Sequence, residues 1–171
     1  FDDETPPYAQ IPAEQRSFCD LIYSEIARFA GPDRTSRWVR LHYFSEAYEL
    51  ASYFQSRGVE ALLTTDKPSV SYRLPPSETE RLRTDGTVEF AGIRFIRSRL
   101  RVENLVGAPL DDQQLADVLE RSCPSSSPAV IFTHECDLAR REVRDMAVRV
   151  LTWLERRSAG TEPAASRLNP V

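Results

Sequence analysis

The chain has 171 residues and a mass of 19.5 kDa, which is enough for one compact domain with a hydrophobic core and short for two. Its net charge of −4 at pH 7 disfavours a nucleic-acid partner, because phosphate binding needs clustered Lys and Arg. No apolar stretch approaches the roughly 20 residues that cross a bilayer. Residues 1–10 are acidic and contain proline, unlike an export signal. We therefore expect a soluble globular protein of unspecified compartment.

The first part of the chain predicts two helices that alternate with two strands. Apolar residues recur at helical spacing over residues 18–29. Residues 38–44 are short and aromatic, as in a strand, and Ser45 is a natural N-cap for a helix that ends near Gly58. Residues 59–65 predict the second strand, with an apolar centre.

A short polar helix and a β-hairpin are predicted next. The helix covers residues 77–86 and the hairpin residues 87–104, with the turn at Ala91 and Gly92. The arginines of residues 94–101 mostly alternate, which indicates the solvent face of a strand.

The last part of the chain predicts helix, strand and helix. Asp111 and Gln114 have the spacing of a capping box at the start of a helix. Residues 129–134 form an apolar run without alternation, as in a strand covered on both faces. Residues 143–154 carry an apolar helical stripe, and residues 158–171 have the composition of a flexible tail.

This alternation predicts an α/β protein with mostly parallel strands joined by right-handed crossovers. In such folds, functional residues gather where the carboxyl ends of the strands meet. The sequence contains about four βα repeats, too few for a closed barrel. We therefore expect either an open sheet or a part of a larger domain.

The sequence has two histidines, and both lie at or near a predicted strand end. His134 either closes its strand by bonding a neighbouring carbonyl, or acts as a general acid or base held by Glu135 or another carboxylate. His42 lies inside its strand between aromatic residues, which favours a structural role.

Other polar residues at the strand ends have two interpretations each. Asp66 either caps the next turn, or orients a histidine or binds a metal or a sugar hydroxyl. Arg40 and His42 alternate on one strand and so share a side, and an inward-pointing Arg40 would need a carboxylate such as Asp66 or Glu103. Glu103 and Asn104 either cap the hairpin loop or contribute to the site.

Common signatures of other sites are missing from the sequence. Cys19, Cys123 and Cys136 are odd in number and widely spaced, which suits neither a disulfide framework nor a zinc pattern. The sequence contains no GxGxxG, GxxxxGK[ST], HExxH or GxSxG motif. Nucleotide-binding, zincin and serine-hydrolase functions therefore lack support.

The ordered motifs RLHYF, LLTTD, RLRVEN and VIFTHE resemble the C-terminal half of the polysaccharide deacetylase family, which has a NodB-homology (β/α) barrel. Residues 40–43 take the place of the family's R-x-P-[FYW] motif, with His42 where proline is usual. Asp66 takes the place of the aspartate motif, and residues 132–134 that of the L-x-H motif. The resemblance spans roughly residues 15–157, and it implies a partial or irregular barrel of the deacetylase type.

The resemblance implies hydrolysis of an N-acetyl or O-acetyl group on a carbohydrate. A divalent metal, typically zinc, would polarise the acetyl carbonyl and lower the pKa of a bound water from about 15.7 to near 7. His134 would protonate the leaving amine, while Asp66 and Arg40 would tune the charge beside it. The predicted substrate-binding residues are Tyr43, Glu103, Asn104 and Glu135.

The metal ligands are left unknown by the sequence. The family's catalytic aspartate and its Asp-His-His triad lie in two motifs, T-F-D-D and H-x-x-x-H. Residues 1–4 have letters of the first motif, but no histidine occurs before His42. We therefore expect both metal histidines upstream of Phe1 and a single domain over residues 1–157 that is incomplete at its N-terminus.

Two competing functions remain open. One is a non-catalytic carbohydrate-binding or scaffold domain that keeps the fold without the metal site. The other is a metal-dependent nuclease that uses Asp66 and Glu103, which the acidic net charge disfavours.

Overall fold

The computed structural model describes residues 11–41, 48–64, 74–107, 109–124, 128 and 130–160. Helices and strands alternate along these residues, so the protein is α/β, as predicted. In chain order the elements are α1 (Pro12–Ala30), β1 (Trp38–Arg40), α2 (Ala51–Ser56), β2 (Ala61–Thr64), α3 (Pro76–Asp85), β3 (Thr87–Phe90), β4 (Ile93–Arg101), α4 (Asp112–Ser122), β5 (Val130–Phe132) and α5 (Arg141–Gly160). Short 3₁₀ turns lie at Tyr48–Leu50, Val102–Leu105 and Asp137–Ala139.

The strands form one sheet with the order β1-β2-β4-β3, and β5 pairs with β4. The pairs β1-β2 and β2-β4 are parallel, which agrees with the prediction. The pair β3-β4 is antiparallel and is the predicted hairpin. No helix in the described parts of the chain is long and apolar enough to cross a membrane.

Contacts divide the chain into two compact units. The first unit comprises the described residues of Phe1–Arg99 and Cys123–Val130, and the second those of Leu100–Ser122 and Ile131–Val171. The first unit contains strands β1 to β3, most of β4 and helices α1 to α3. The second contains α4, α5 and the chain segments that follow β4 and β5.

Each unit has its own apolar core. In the first unit the most deeply buried side chains include Phe54, Leu62, Leu82, Ile93 and Phe95. The core of the second unit is formed by Val102, Leu105, Leu115, Leu119, Val143, Met146 and Val150. Each buried side chain of this kind contributes roughly 1.5–3 kcal/mol.

The β3-β4 turn follows from its two residues. Phe90 pairs with Ile93, which leaves Ala91 and Gly92 to make the turn with φ of 50° and 75°. Positive φ at both central residues is typical of a two-residue hairpin turn. A Cβ atom on Gly92 would also lie 2.2 Å from Nε2 of Gln55, which donates to the Gly92 carbonyl. Glycine is therefore favoured there by conformation, and a Cβ atom would also require the flexible end of the Gln55 side chain to move.

The predicted helix signals in the second unit are confirmed. The backbone N–H of Gln114 donates to Oδ1 of Asp111 at 2.8 Å, and the N–H of Asp111 donates to Oε1 of Gln114 at 3.0 Å. This reciprocal pair is a capping box. Helix α5 buries Val143 and Val150 on its apolar stripe and continues to Gly160, three residues into the predicted tail.

Two burial predictions are wrong. The apolar run of β5 was expected to be covered on both faces, but all three of its residues are only partly buried. The alternating arginines were expected on a solvent face, yet Arg97 and Arg99 are partly buried. Arg97 donates to the carbonyl of Arg83 at 3.0 Å, and burial lowers the pKa of Arg99, with a smaller effect from Arg97. The hydrogen bond to a carbonyl in the last turn of α3 thus holds the Arg97 side chain close to the protein surface instead of in solvent.

Candidate functional site

His134 lies two residues after the end of β5, on a tight turn of the second unit. The backbone N–H groups of Asp137 and Leu138 donate to its carbonyl at 3.0 and 3.3 Å. The Phe132 ring lies edge-on to the imidazole, with centroids 5.6 Å apart. The imidazole is therefore placed by the end of a strand and by a closed turn.

The partner of the imidazole is Glu103, on the 3₁₀ turn that directly follows β4. Nδ1 of His134 lies 2.6 Å from Oε1 of Glu103, and the two side chains are 33% and 11% exposed. A distance this short is typical of a charge-assisted hydrogen bond. The Nδ1–H group donates a hydrogen bond to the carboxylate, which fixes the tautomer and leaves Nε2 for proton exchange.

The carboxyl of Glu103 is ionised at neutral pH. Burial disfavours its charged form, but a hydrogen bond from its own backbone N–H, the contact with His134 and the nearby Thr133 outweigh burial. Together they hold the pKa of the Glu103 carboxyl below its ordinary value. The second oxygen, Oε2, and Oγ1 of Thr133 are both buried and make no well-formed hydrogen bond with a described residue.

A third ionisable residue joins this pair. Oδ2 of Asp137 lies 3.9 Å from Nδ1 of His134. One ligand atom from each of Glu103, His134 and Asp137 lies within 4.8 Å of the other two, so these residues could hold a metal ion. Two carboxylate oxygens and one imidazole nitrogen are donors that suit zinc or another divalent transition metal.

Hydrogen bonds from helix α5 stabilise the turn that carries Asp137. Nη1 of Arg144 donates to the carbonyls of Leu138 and Ala139 at 2.6 and 2.8 Å. Arg140 lies 3.5 Å from Asp137 and 3.0 Å from Glu142. The turn is therefore held from the first residues of α5.

Some residues predicted for the site lie in the same unit as His134. Glu103 contacts it directly. Asn104 and Glu135 follow Glu103 and His134 in sequence and are exposed. Glu103, which had the alternative of capping the hairpin loop, is the carboxylate that holds the imidazole.

The remaining predicted residues lie either outside the described part of the chain or in the first unit. Asp66, His42 and Tyr43 lie outside the described residues, so their roles stay predictions. Arg40 lies on β1 in the first unit and is exposed. A buried carboxylate partner was expected only if Arg40 pointed into the sheet interior. Because Arg40 is exposed, that condition is not met.

Asp137 was missed by the sequence analysis. The signal was present in the spacing, because His134 and Asp137 are separated by three positions just after a strand. A 3₁₀ turn places residues i and i+3 on the same side. A carboxylate three residues after a histidine at a strand end is therefore a useful pattern to search for.

No protein-family model, no curated protein and no solved structure matches the chain. The resemblance to polysaccharide deacetylases rests on the sequence motifs.

Proposed function

We propose that the chain is a polysaccharide-deacetylase-like hydrolase domain that removes N-acetyl or O-acetyl groups from a carbohydrate with the assistance of a metal. The observation that carries the proposal is the 2.6 Å contact between Nδ1 of His134 and the partly buried carboxylate of Glu103. The order of the motifs at residues 40–43, Asp66 and residues 132–134 gives further support. A partial (β/α) barrel of the deacetylase type belongs to the same proposal.

His134 would transfer the proton in this reaction. With Nδ1–H donated to Glu103, Nε2 of the protonated ring can deliver a proton to the leaving amine or alcohol. The anionic Glu103 stabilises the imidazolium and keeps its orientation. Proton transfer by a positioned side chain contributes typically about 10²–10⁴-fold in rate.

The other predicted residues keep supporting roles in the proposal. Asn104 and Glu135 are exposed next to Glu103 and His134 in sequence, where they would contact the sugar. Tyr43 would be a further sugar contact. Asp66 and Arg40 would adjust the charge near the acetyl group.

A divalent metal such as zinc would polarise the acetyl carbonyl when bound. The family holds its metal with one aspartate and two histidines, whereas the cluster here offers one histidine and two carboxylates. Moreover, the same Nδ1 atom already serves the hydrogen bond to Glu103. The cluster thus does not fit the family's metal scheme, and no step of the proton transfer depends on it.

The proposal is tested by acetate release from chito-oligosaccharides and from O-acetylated xylan oligosaccharides. The purified chain is treated with chelator and then assayed over a series of zinc concentrations. We expect His134→Gln to lower the rate by about 10²–10⁴-fold, because the proton donor is lost. Glu103→Gln should lower it less, and Asp145→Asn, which removes an exposed carboxylate on α5 outside the proposed site, is the matched control for lost charge. Equal rates in wild type and His134→Gln would contradict the proposal.

A second candidate is a non-catalytic carbohydrate-binding or scaffold domain. It is favoured by the mismatch between the family's Asp-His-His triad and the donors of this cluster. Binding of chito-oligosaccharides without acetate release, unchanged in His134→Ala, would support this candidate over the hydrolase.

A further inference from the structure

Both carboxylates near His134 approach the same ring nitrogen. Oε1 of Glu103 lies 2.6 Å and Oδ2 of Asp137 lies 3.9 Å from Nδ1. A cation held by all three residues would therefore bind the ring through Nδ1, the atom on which the hydrogen bond to Glu103 depends.

The hydrogen bond and a bound cation are geometrically exclusive at Nδ1. Zinc ligands lie 2.0–2.2 Å from the ion, so two ligand atoms at a tetrahedral angle are roughly 3.4 Å apart. The Nδ1–Glu103 distance of 2.6 Å is shorter than this and the Nδ1–Asp137 distance of 3.9 Å is longer. Shifts of less than about 1 Å in the two side chains would open the first distance and close the second. An ion can thus enter with small movements, but only by replacing the hydrogen bond.

Glu103 has a second carboxylate oxygen, besides the one that contacts His134, that could bind a cation. Its side chain is only 11% exposed, and the Oε2 atom is buried without a well-formed hydrogen bond to any described residue. Buried polar atoms normally have a partner. Oε2 of the ionised carboxyl, which the nearby Thr133 side chain does not fully satisfy, is therefore a further ligand atom in the cluster with Asp137.

We propose that Glu103, Nδ1 of His134 and Asp137 form a divalent-cation site, and that the bound ion displaces the Nδ1–Glu103 hydrogen bond and takes His134 out of proton transfer. Binding of the ion moves the proton of the neutral ring from Nδ1 to Nε2 through solvent. A ring bound in this way cannot accept a second proton without releasing the ion. The ion is of the zinc class, since imidazole with carboxylates suits zinc better than magnesium or calcium.

The inhibitory consequence rests on the proposed function, whereas the cation site does not. The first test is therefore zinc alone, titrated into the chelator-treated full chain by isothermal calorimetry. We expect zinc to bind to the wild-type chain, and the affinity to weaken by about 10–100-fold or more in Asp137→Asn and in Glu103→Gln. Asp145→Asn is the matched control: this carboxylate is exposed on α5, 3.5 Å from Arg141, and its loss should leave zinc affinity unchanged. Circular dichroism confirms that each variant is folded.

The second readout is the ¹⁵N spectrum of the imidazole, which reports each ring nitrogen separately and is independent of activity. Zinc should convert Nδ1 of His134 to a metal-bound nitrogen and leave Nε2 protonated. Failure of zinc to bind, binding through Nε2, or equal affinity in wild type and Asp137→Asn would overturn the site.

The activity assay separates the two proposals. If the chain releases acetate, zinc at concentrations that fill the cluster should slow the release, and in Asp137→Asn the inhibitory concentration should rise in proportion to the weakened affinity. An increase of the rate as this site fills would overturn the displacement of His134. Zinc binding through Nδ1 with no acetate release under any condition would leave the cation site standing and contradict the proposed hydrolase.

Discussion

The two units of the molecule differ in what their buried groups do. The first unit buries large apolar side chains such as Phe54 and Phe95. Its perturbed acids, Cys19, Tyr23 and Tyr53, are neutral at pH 7, and burial raises their pKa values further above that pH. The second unit has a smaller core and keeps an ionised Glu103 beside His134. Maintaining a partly buried charge is expensive unless it is paired. The contrast places the candidate chemistry in the second unit and a mainly structural role in the described part of the first.

Among the effects on stability, the largest is expected in the first unit. Phe54 is fully buried on α2. Phe54→Ala should lower the free energy of unfolding by about 3–5 kcal/mol, because the lost burial is compounded by a cavity. Phe29, which is 76% exposed on α1, is the matched control, and Phe29→Ala should change stability by no more than about 0.5 kcal/mol. Urea denaturation measures both, and similar losses in the two variants would contradict the assigned cores.

The next largest effect is a difference between the two units in how their stability depends on pH. Deprotonation of Cys19, Tyr23 and Tyr53 is disfavoured in the folded protein, so their stabilisation is complete below the ordinary values of 9.0 and 10.0 and is lost as the pH rises toward the raised pKa values. The pKa of Glu103 is lowered instead, so its stabilisation is present above the ordinary 4.5 and is lost as the pH falls through the lowered value. Protonation of Glu103 removes a charge-assisted hydrogen bond, a loss of about 1.5–3 kcal/mol.

Hydrogen exchange, followed amide by amide, measures this difference. Amides of the first unit should lose protection first at alkaline pH, and those near Glu103 and His134 should lose it first in acid. The variant Glu103→Gln should abolish the acid effect in the second unit. If amides of the same unit lost protection first in both acid and alkali, the two units would not differ in pH dependence as expected.

Local signals made much of the fold predictable from the sequence. The hairpin turn at Ala91 and Gly92 and the capping box of Asp111 and Gln114 are each specified by residues within four positions of one another, and both are confirmed. The parallel strand pairs followed from the alternation of helices and strands. Burial was less predictable, because the surroundings of β5 and of Arg97 depend on segments distant in sequence.

The same distinction applies to the candidate site. His134 was recognisable from its position at a strand end, but its partner Glu103 lies 31 positions away, so only the folded chain brings the two together. Asp137, three positions from His134, was within reach of local reasoning and was missed. A residue's chemistry can thus be anticipated from its type and place, whereas its partner is set by tertiary structure.

The smallest effect concerns the turn that carries Asp137. Arg144 donates to two carbonyls of that turn, and Arg144→Ala should lower stability by about 0.5–1.5 kcal/mol per hydrogen bond, at the low end because the side chain is exposed. Arg141 is the control, since it pairs only with exposed Asp145 in the described structure, and such pairs contribute about 0–1 kcal/mol. The loss of protection in Arg144→Ala should be confined to amides of residues 134–140, because the hydrogen bonds hold that turn to α5 and not to the core. If Arg141→Ala loosens the same amides equally, the turn is stabilised by helix charge rather than by the two hydrogen bonds.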